Sequence, residues 1–136
     1  GGGGAATCVS AMRVVAELAV TDSVRDKAVE LGAVPLLVAR LAAAAKHGMY
    51  EKPAGAGAAA ACALAALARN HGDEYGEARC RAIADGGAVP LLLDLAVAGS
   101  ADMVTGSAAA IAGLAHGGLC EVLVAAGGGD APPGGR

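Results

Sequence analysis

The chain has 136 residues and a formal charge of −3 at pH 7, with 55% hydrophobic and 17% charged residues. It contains no Phe or Trp, so a core must be built from aliphatic side chains, and the abundant Ala favours helix. The negative charge and the lack of any Lys/Arg cluster argue against binding of nucleic acid.

The predicted elements form a series of helical units. Residues 1–5 are Gly-rich, and residues 129–136 form a Gly/Pro linker or tail that cannot continue a helix. The helical segment between them covers residues 6–128. It divides into a partial unit, two full units and a second partial unit, at residues 6–20, 21–70, 71–118 and 119–128. Polar, Gly-bearing stretches at residues 46–57 and 70–78 are predicted loop insertions.

The first full unit begins with a short helix that Ser23 and Asp26 are predicted to open, since they have the spacing of a capping box. Gly32 is predicted to end this helix in the left-handed conformation. Pro35 then lies in the first turn of a second helix, where its missing N–H has no cost. An Ala-rich third helix follows the loop insertion.

The second full unit repeats this order. Gly87 ends its first helix and Pro90 lies in the first turn of its second. Its third helix has one apolar face at helical spacing, formed by Met103, Ser107, Ile111 and Leu114.

The unit boundaries are marked by an internal repeat. The hexapeptide GAVPLL occurs at residues 32–37 and again at residues 87–92, 55 positions later. A weaker third copy matches CRAIADGG (80–87) with CEVLVAAGG (120–128) at an offset of 40. A period near 40 is typical of two- or three-helix solenoid units, and the longer first interval is explained by the inserted loops.

The two joints, AVELGAVPLLVARL and AIADGGAVPLLLDL, resemble the joint of the armadillo repeat, V-x-x-G-A-x-P-x-L-V-x-L-L. The runs VVAELAV, ALAALAR and AIAGLAH are similar to the family's third-helix ending, A-L-x-N-L-A. The resemblance implies an all-α fold, a right-handed α-solenoid that is an armadillo-like superhelix of three-helix repeats. HEAT-type repeats are the near alternative, which the Gly-x-x-Pro joint disfavours.

The resemblance implies a non-catalytic scaffold for protein–protein interaction, as part of a longer chain or larger assembly. The alternative is an accessory substrate-recognition segment of a larger enzyme, such as an armadillo-containing ubiquitin ligase. The third helices would line a concave groove whose expected contacts are Arg13, Glu17, Cys62, Ala66, Arg69, Thr105, Ala109 and Gly113. Expected contacts in the rim loops are Tyr50, Lys52, Asp73, Glu74 and Glu77.

The kind of partner is predicted from third-helix positions at which this chain differs from members of the armadillo family that bind peptides. Nuclear-import adaptors of the armadillo family hold extended basic peptides with a Trp and an Asn four residues apart on the third helix. The matching pairs here are Ala109 with Gly113, Cys62 with Ala66, and Arg13 with Glu17. The nearly bare floor favours a helix or another solenoid as partner.

Motifs that suggest other chemistry have simpler interpretations. Gly55-x-Gly57-x-x-Ala60 is similar to a dinucleotide loop, but no strand precedes it. Three His-Gly pairs are interpreted as helix C-caps rather than metal or catalytic sites: His47-Gly48, His71-Gly72 and His116-Gly117. No catalytic pairing stands out, so we expect no enzyme activity, no cofactor and no metal.

The cysteines and the ends of the repeat lead to two further expectations. Cys8, Cys62, Cys80 and Cys120 form no C-x-x-C pair, and buried free thiols are favoured, although their even number leaves disulfides open. With no signal peptide and no membrane span evident, we expect an intracellular, cytoplasmic protein. Self-association is expected through the incomplete end units, by way of Val14, Val15, Leu18, Leu119, Val122 and Leu123.

Overall fold

The computed structural model describes residues 12–14, 17, 21–47, 55–70, 74–98 and 100–127. Within these residues all regular structure is helical and there is no strand, which confirms the all-α prediction. The described helices are α1 (Asp22–Glu30), α2 (Ala33–His47), α3 (Ala56–Leu67), α4 (Glu74–Asp85), α5 (Ala88–Ala98), α6 (Ala101–Leu114) and α7 (Cys120–Gly127). A π-helical segment, Ala115–Leu119, joins α6 to α7, and residues 12–14 and 17 are also helical.

The two joints between first and second helices have the predicted backbone. Gly32 and Gly87 have φ of 90° and 89°, a left-handed backbone conformation that residues other than Gly rarely adopt. Pro35 and Pro90 lie in the first turns of α2 and α5. The repeated hexapeptide therefore ends one helix and starts the next at both places.

Three boundaries differ from prediction. Thr21, rather than Ser23, caps α1: its side-chain oxygen accepts a hydrogen bond from the Val24 N–H at 3.3 Å, so the Ser23 and Asp26 capping box is wrong. Both predicted loop insertions are shorter, because α2 continues to His47, α3 begins at Ala56, and residues 74–78 belong to α4.

The predicted His-Gly caps are only partly described. His47 is the last residue of α2 and His116 is exposed in the π-helical segment, whereas Gly48, His71 and Gly72 lie outside the described residues. The left-handed residue after His116 is Gly118, with φ 91°, rather than Gly117. Gly117 is buried instead, and a side chain there would lie 2.6 Å from the Cys80 Sγ.

Each helix of the first three-helix set packs against its counterpart in the second. α1 contacts α4, α2 contacts α5, and α3 contacts α6, and the last contact is the most extensive. Leu41, Leu64, Leu67, Ile83, Leu92, Leu114 and Leu119 are the largest fully buried aliphatic side chains. The apolar face predicted for α6 is confirmed, since Met103, Ser107 and Leu114 are buried and Ile111 packs against the core.

Glycines allow the close approach of the two sets. A Cβ on Gly106 would lie 3.0 Å from the Ala61 Cβ, and one on Gly113 would lie 2.9 Å from the Ala68 Cβ. Helix α6 therefore passes over α3 with almost no side chain between the two backbones at these points.

The run Ala101–Ala126 is long and apolar enough to span a membrane by length and composition, with a mean hydropathy of 1.6. The left-handed backbone of Gly118 interrupts this run. Length and composition alone do not separate a membrane span from a helix of a soluble protein, so the expected lack of a span stays a prediction.

Candidate functional site

An open cavity of about 330 Å³ lies where Arg13 and Glu17, which are both helical, meet α3 and α6. Its lining residues are Arg13, Glu17, Ala58, Ala59, Cys62, Asp102 and Thr105. The side chains of Ala and Cys leave the centre open, and three charged side chains supply opposite charges around it. The cavity therefore offers a small apolar surface within a charged rim.

The α6 side of this cavity is held closely against α3. A Cβ on Gly106 would lie 3.2 Å from the Cys62 Sγ and 3.1 Å from its backbone nitrogen. The Thr105 hydroxyl donates a hydrogen bond to the Ala101 carbonyl at 2.9 Å, so its proton is already used within the helix. Thr105 can still accept a hydrogen bond from a partner.

Four predicted groove contacts come together in this cavity: Arg13, Glu17, Cys62 and Thr105. Arg69 and Ala109 are exposed elsewhere on the described surface.

Two predicted groove contacts lie differently. Ala66 is 2% exposed and belongs to the core. Gly113 is half-buried, and its carbonyl accepts a hydrogen bond from the Asn70 side-chain amide at 2.9 Å. The eight expected groove contacts therefore do not lie together: four line the cavity, two are exposed elsewhere, and Ala66 and Gly113 are buried or half-buried.

The predicted rim residues are only partly placed. Glu74 and Glu77 are exposed in the first turn of α4, and Glu77 pairs with Arg81 at 3.1 Å. Tyr50, Lys52 and Asp73 lie outside the described residues. Glu74 and Glu77 therefore lie in the first turn of a helix, where a negative charge interacts favourably with the helix dipole.

Sequence reasoning missed a buried side chain with several polar partners, Arg79. Its side chain is 1% exposed and donates through Nη1 to the Asp26 carboxylate at 2.7 Å and through Nη2 to the Asp22 carboxylate at 3.1 Å. Its Nε donates to the Leu67 carbonyl at 2.8 Å, and Nη2 also donates to the Arg69 carbonyl. One guanidinium thus joins α4 to α1 and to the end of α3.

A signal for Arg79 was present in the sequence. Arg79 lies four residues before Ile83, which is fully buried. Helical periodicity therefore places Arg79 on the buried face of α4. A buried Arg requires acceptors, which here are two carboxylates and two carbonyls.

A second polar cluster surrounds the Cys80 thiol. The Asn70 amide nitrogen lies 2.8 Å from the Ala68 carbonyl and 3.6 Å from the Cys80 Sγ. It also donates the hydrogen bond of 2.9 Å to the Gly113 carbonyl. The thiol lies 3.4 Å from the Ala68 carbonyl. Burial raises the pKa of the Cys80 thiol, against the opposing effects of the Arg79 charge and the Asn70 hydrogen bond. This thiol therefore stays protonated at neutral pH and is not an activated nucleophile.

The cysteine prediction is correct for one position. Cys80 is buried and free, but Cys62 and Cys120 are free and exposed, and Cys8 lies outside the described residues. Among the residues that the structure describes, no group of three or more His, Cys, Asp or Glu side chains could hold a metal ion.

Comparison with protein-family models, with curated proteins and with solved structures finds no match to this chain.

Proposed function

We propose that this chain is a non-catalytic scaffold for protein–protein interaction of the armadillo-repeat type, located in the cytoplasm. The observation that carries the proposal is the open cavity between the segment of Arg13 and Glu17, α3 and α6. These three segments are the predicted third helices of successive units. In a solenoid, this is the layer that lines the binding groove.

The stacking of the units as a right-handed α-solenoid is part of this proposal. Its support is the pairing of α1 with α4, α2 with α5, and α3 with α6, since a solenoid unit contacts its neighbour through corresponding elements. The joints are also adjacent, because a Cβ on Gly86 of the second joint would lie 2.7 Å from the Val34 Cγ1 of the first.

The partner that suits this cavity is a helix of another protein. Ala58, Ala59 and Cys62 let a partner backbone approach closely, and one or two side chains of a helix fit about 330 Å³. The charges of Arg13 and Asp102 at its edge would then select the orientation of a helix that carries complementary charges.

A selection of displayed amphipathic helical peptides on the immobilised chain tests the proposal. Binding of the selected peptides is measured by fluorescence anisotropy to the wild type, to Thr105→Arg, which fills the cavity, and to Val97→Arg. Val97 is 87% exposed on α5 and is not a cavity residue, so it is the matched control. We expect binding at least about tenfold weaker for Thr105→Arg and unchanged for Val97→Arg. The proposal is overturned if no peptide binds, or if both variants affect binding equally.

A further inference from the structure

The side-chain oxygens that line the cavity accept hydrogen bonds. Thr105 donates its own proton to the Ala101 carbonyl, so its oxygen is left as an acceptor. Glu17 and Asp102 line the same cavity, and ionised carboxylates only accept. Among the described residues, neither carboxylate forms an ion pair. The cavity therefore favours a side chain that donates a hydrogen bond.

The floor of the cavity is apolar and wide. Ala58, Ala59 and Cys62 contribute small side chains, and a free thiol packs as a small hydrophobe. A cavity of about 150 Å³ lined by apolar side chains holds one benzene ring. At about 330 Å³, the open cavity has room for the two fused rings of an indole, whereas an aliphatic side chain would leave part of it empty.

Arg13 decides between the two kinds of side chain that combine a donor with an apolar body. These are Trp, with its indole N–H, and Lys, with its ammonium group. A guanidinium is attracted to the face of an aromatic ring, and most strongly to that of Trp, but it repels a second cation. Lys also has a thin aliphatic chain, which would leave much of the apolar floor uncovered. The lining residues therefore favour Trp.

We propose that the cavity receives a Trp side chain from the partner helix. This inference rests on the proposed function and names the residue by which such a partner is held. The indole covers Ala58, Ala59 and Cys62, its N–H donates to one of the acceptors in the wall, and Arg13 contacts the ring. Three segments within the chain form the cavity, so it exists without a neighbouring unit at either end.

Fluorescence of a small Trp ligand tests the site directly. The chain contains no Trp, so the emission of N-acetyltryptophanamide reports only the surroundings of that ligand. When the ligand is titrated with the full chain, we expect a blue shift that saturates with a dissociation constant of about 1 mM. Thr105→Arg, which fills the cavity, should abolish the shift, and Val97→Arg, outside the cavity, should keep it. The absence of a saturable shift, or an equal shift in both variants, overturns the proposal.

Removal of the Arg13 charge tests the choice of Trp over Lys. Arg13 is exposed, so Arg13→Gln is expected to keep the fold even if Thr105→Arg does not, and circular dichroism checks both. Arg13→Gln should weaken binding of N-acetyltryptophanamide by about two- to fivefold. It should strengthen competition by N-acetyllysinamide, because the repulsion is removed. Lys27→Gln, an equal loss of charge on α1, is the matched control and should change neither. Unchanged or tighter binding of the Trp ligand to Arg13→Gln contradicts the proposal.

The selected helical peptides separate this inference from the proposed function. We expect them to carry a Trp whose replacement by Leu weakens binding at least about tenfold. Peptides that bind in the cavity but tolerate this replacement, or that depend on a Lys instead, overturn the inference and leave the proposed function standing. Saturable binding of N-acetyltryptophanamide that Thr105→Arg abolishes, in the absence of any peptide that binds, would support the indole site and overturn the proposed function.

Discussion

Arg79 and Asp26 form an ion pair of 2.7 Å that joins two helical units across 53 residues of sequence. The Arg79 side chain is almost completely buried, whereas the Asp26 carboxylate is half-exposed. Because the same guanidinium binds the Leu67 and Arg69 carbonyls, it also satisfies acceptors at and just beyond the last residue of α3, where carbonyls lack a partner within the helix.

Removal of this side chain should strongly destabilise the protein. Arg79→Ala leaves two carbonyls and a cavity behind, so we expect it to lower the free energy of unfolding by about 3 kcal/mol. Arg81→Ala is the matched control, two residues along the same helix, and removes only an exposed pair with Glu77. That control should change stability by less than about 1 kcal/mol. Urea unfolding followed by circular dichroism measures both, and equal effects would contradict the role of Arg79.

The close approach of α6 to α3 predicts an unusual response to glycine substitution. Ala normally stabilises a helix relative to Gly by about 1 kcal/mol. Gly113→Ala should instead destabilise by about 1–3 kcal/mol, because the new Cβ would lie 2.9 Å from the Ala68 Cβ and 3.0 Å from its carbonyl oxygen. The reverse change at an exposed position of α6, Ala109→Gly, should lower the free energy of unfolding by the ordinary amount of about 1 kcal/mol. Thermal unfolding of the two variants compares them, and a more stable Gly113→Ala would show that the helices can separate.

Some of this fold could be predicted because its causes are local. The left-handed backbone of Gly32 and Gly87 and the helix starts at Pro35 and Pro90 depend on only a few neighbouring residues. The repeated hexapeptide therefore gave the number and order of helices around each joint.

The parts that could not be predicted depend on distant residues. Arg79 finds its acceptors on α1 and at the end of α3, and no short-range pattern indicates which carboxylates will be adjacent. Ala66 was expected in the groove from its spacing along the helix, yet it is buried in the core. Thr21 and Ser23 are both good caps, and only the position at which α1 begins decides between them.

The Ser107 hydroxyl predicts a stabilising substitution. Ser107 is fully buried on α6, and its Oγ has no hydrogen-bond partner among the residues that the structure describes. The corresponding position of α3 is Ala60, which is equally buried. Ser107→Ala removes the unsatisfied hydroxyl and increases helix propensity, so we expect a gain of about 1 kcal/mol. Urea unfolding measures the gain, and a loss of stability would indicate a partner for the hydroxyl.

The Cys80 thiol predicts a loss of stability at high pH. Because burial raises its pKa in the folded protein above the ordinary value of 9.0, the unfolded chain releases this proton first as pH rises. The contribution of Cys80 is constant below that value and is lost above it, as the pH rises toward the folded pKa. The unfolding free energy of the wild type should fall between about pH 7 and pH 10.5 more than that of Cys80→Ala does. The two proteins should therefore differ less in stability at the higher pH. Cys62→Ala, at an exposed position, is the control and should keep the wild-type dependence.

The positions of α6 beyond the cavity predict which peptides will not bind. Binding of an extended basic peptide in the manner expected of nuclear-import adaptors would require Trp to stack on lysine side chains and Asn to hold the peptide backbone, but the corresponding positions on α6 are Ala109 and Gly113. The Gly113 carbonyl is already bound by Asn70, so it is not a ready substitute for the missing amide. A lysine-rich nuclear-localisation peptide should therefore show no saturable binding below about 1 mM by calorimetry. Micromolar binding that Glu17→Ala abolishes would show instead that the acidic rim alone can hold a basic peptide.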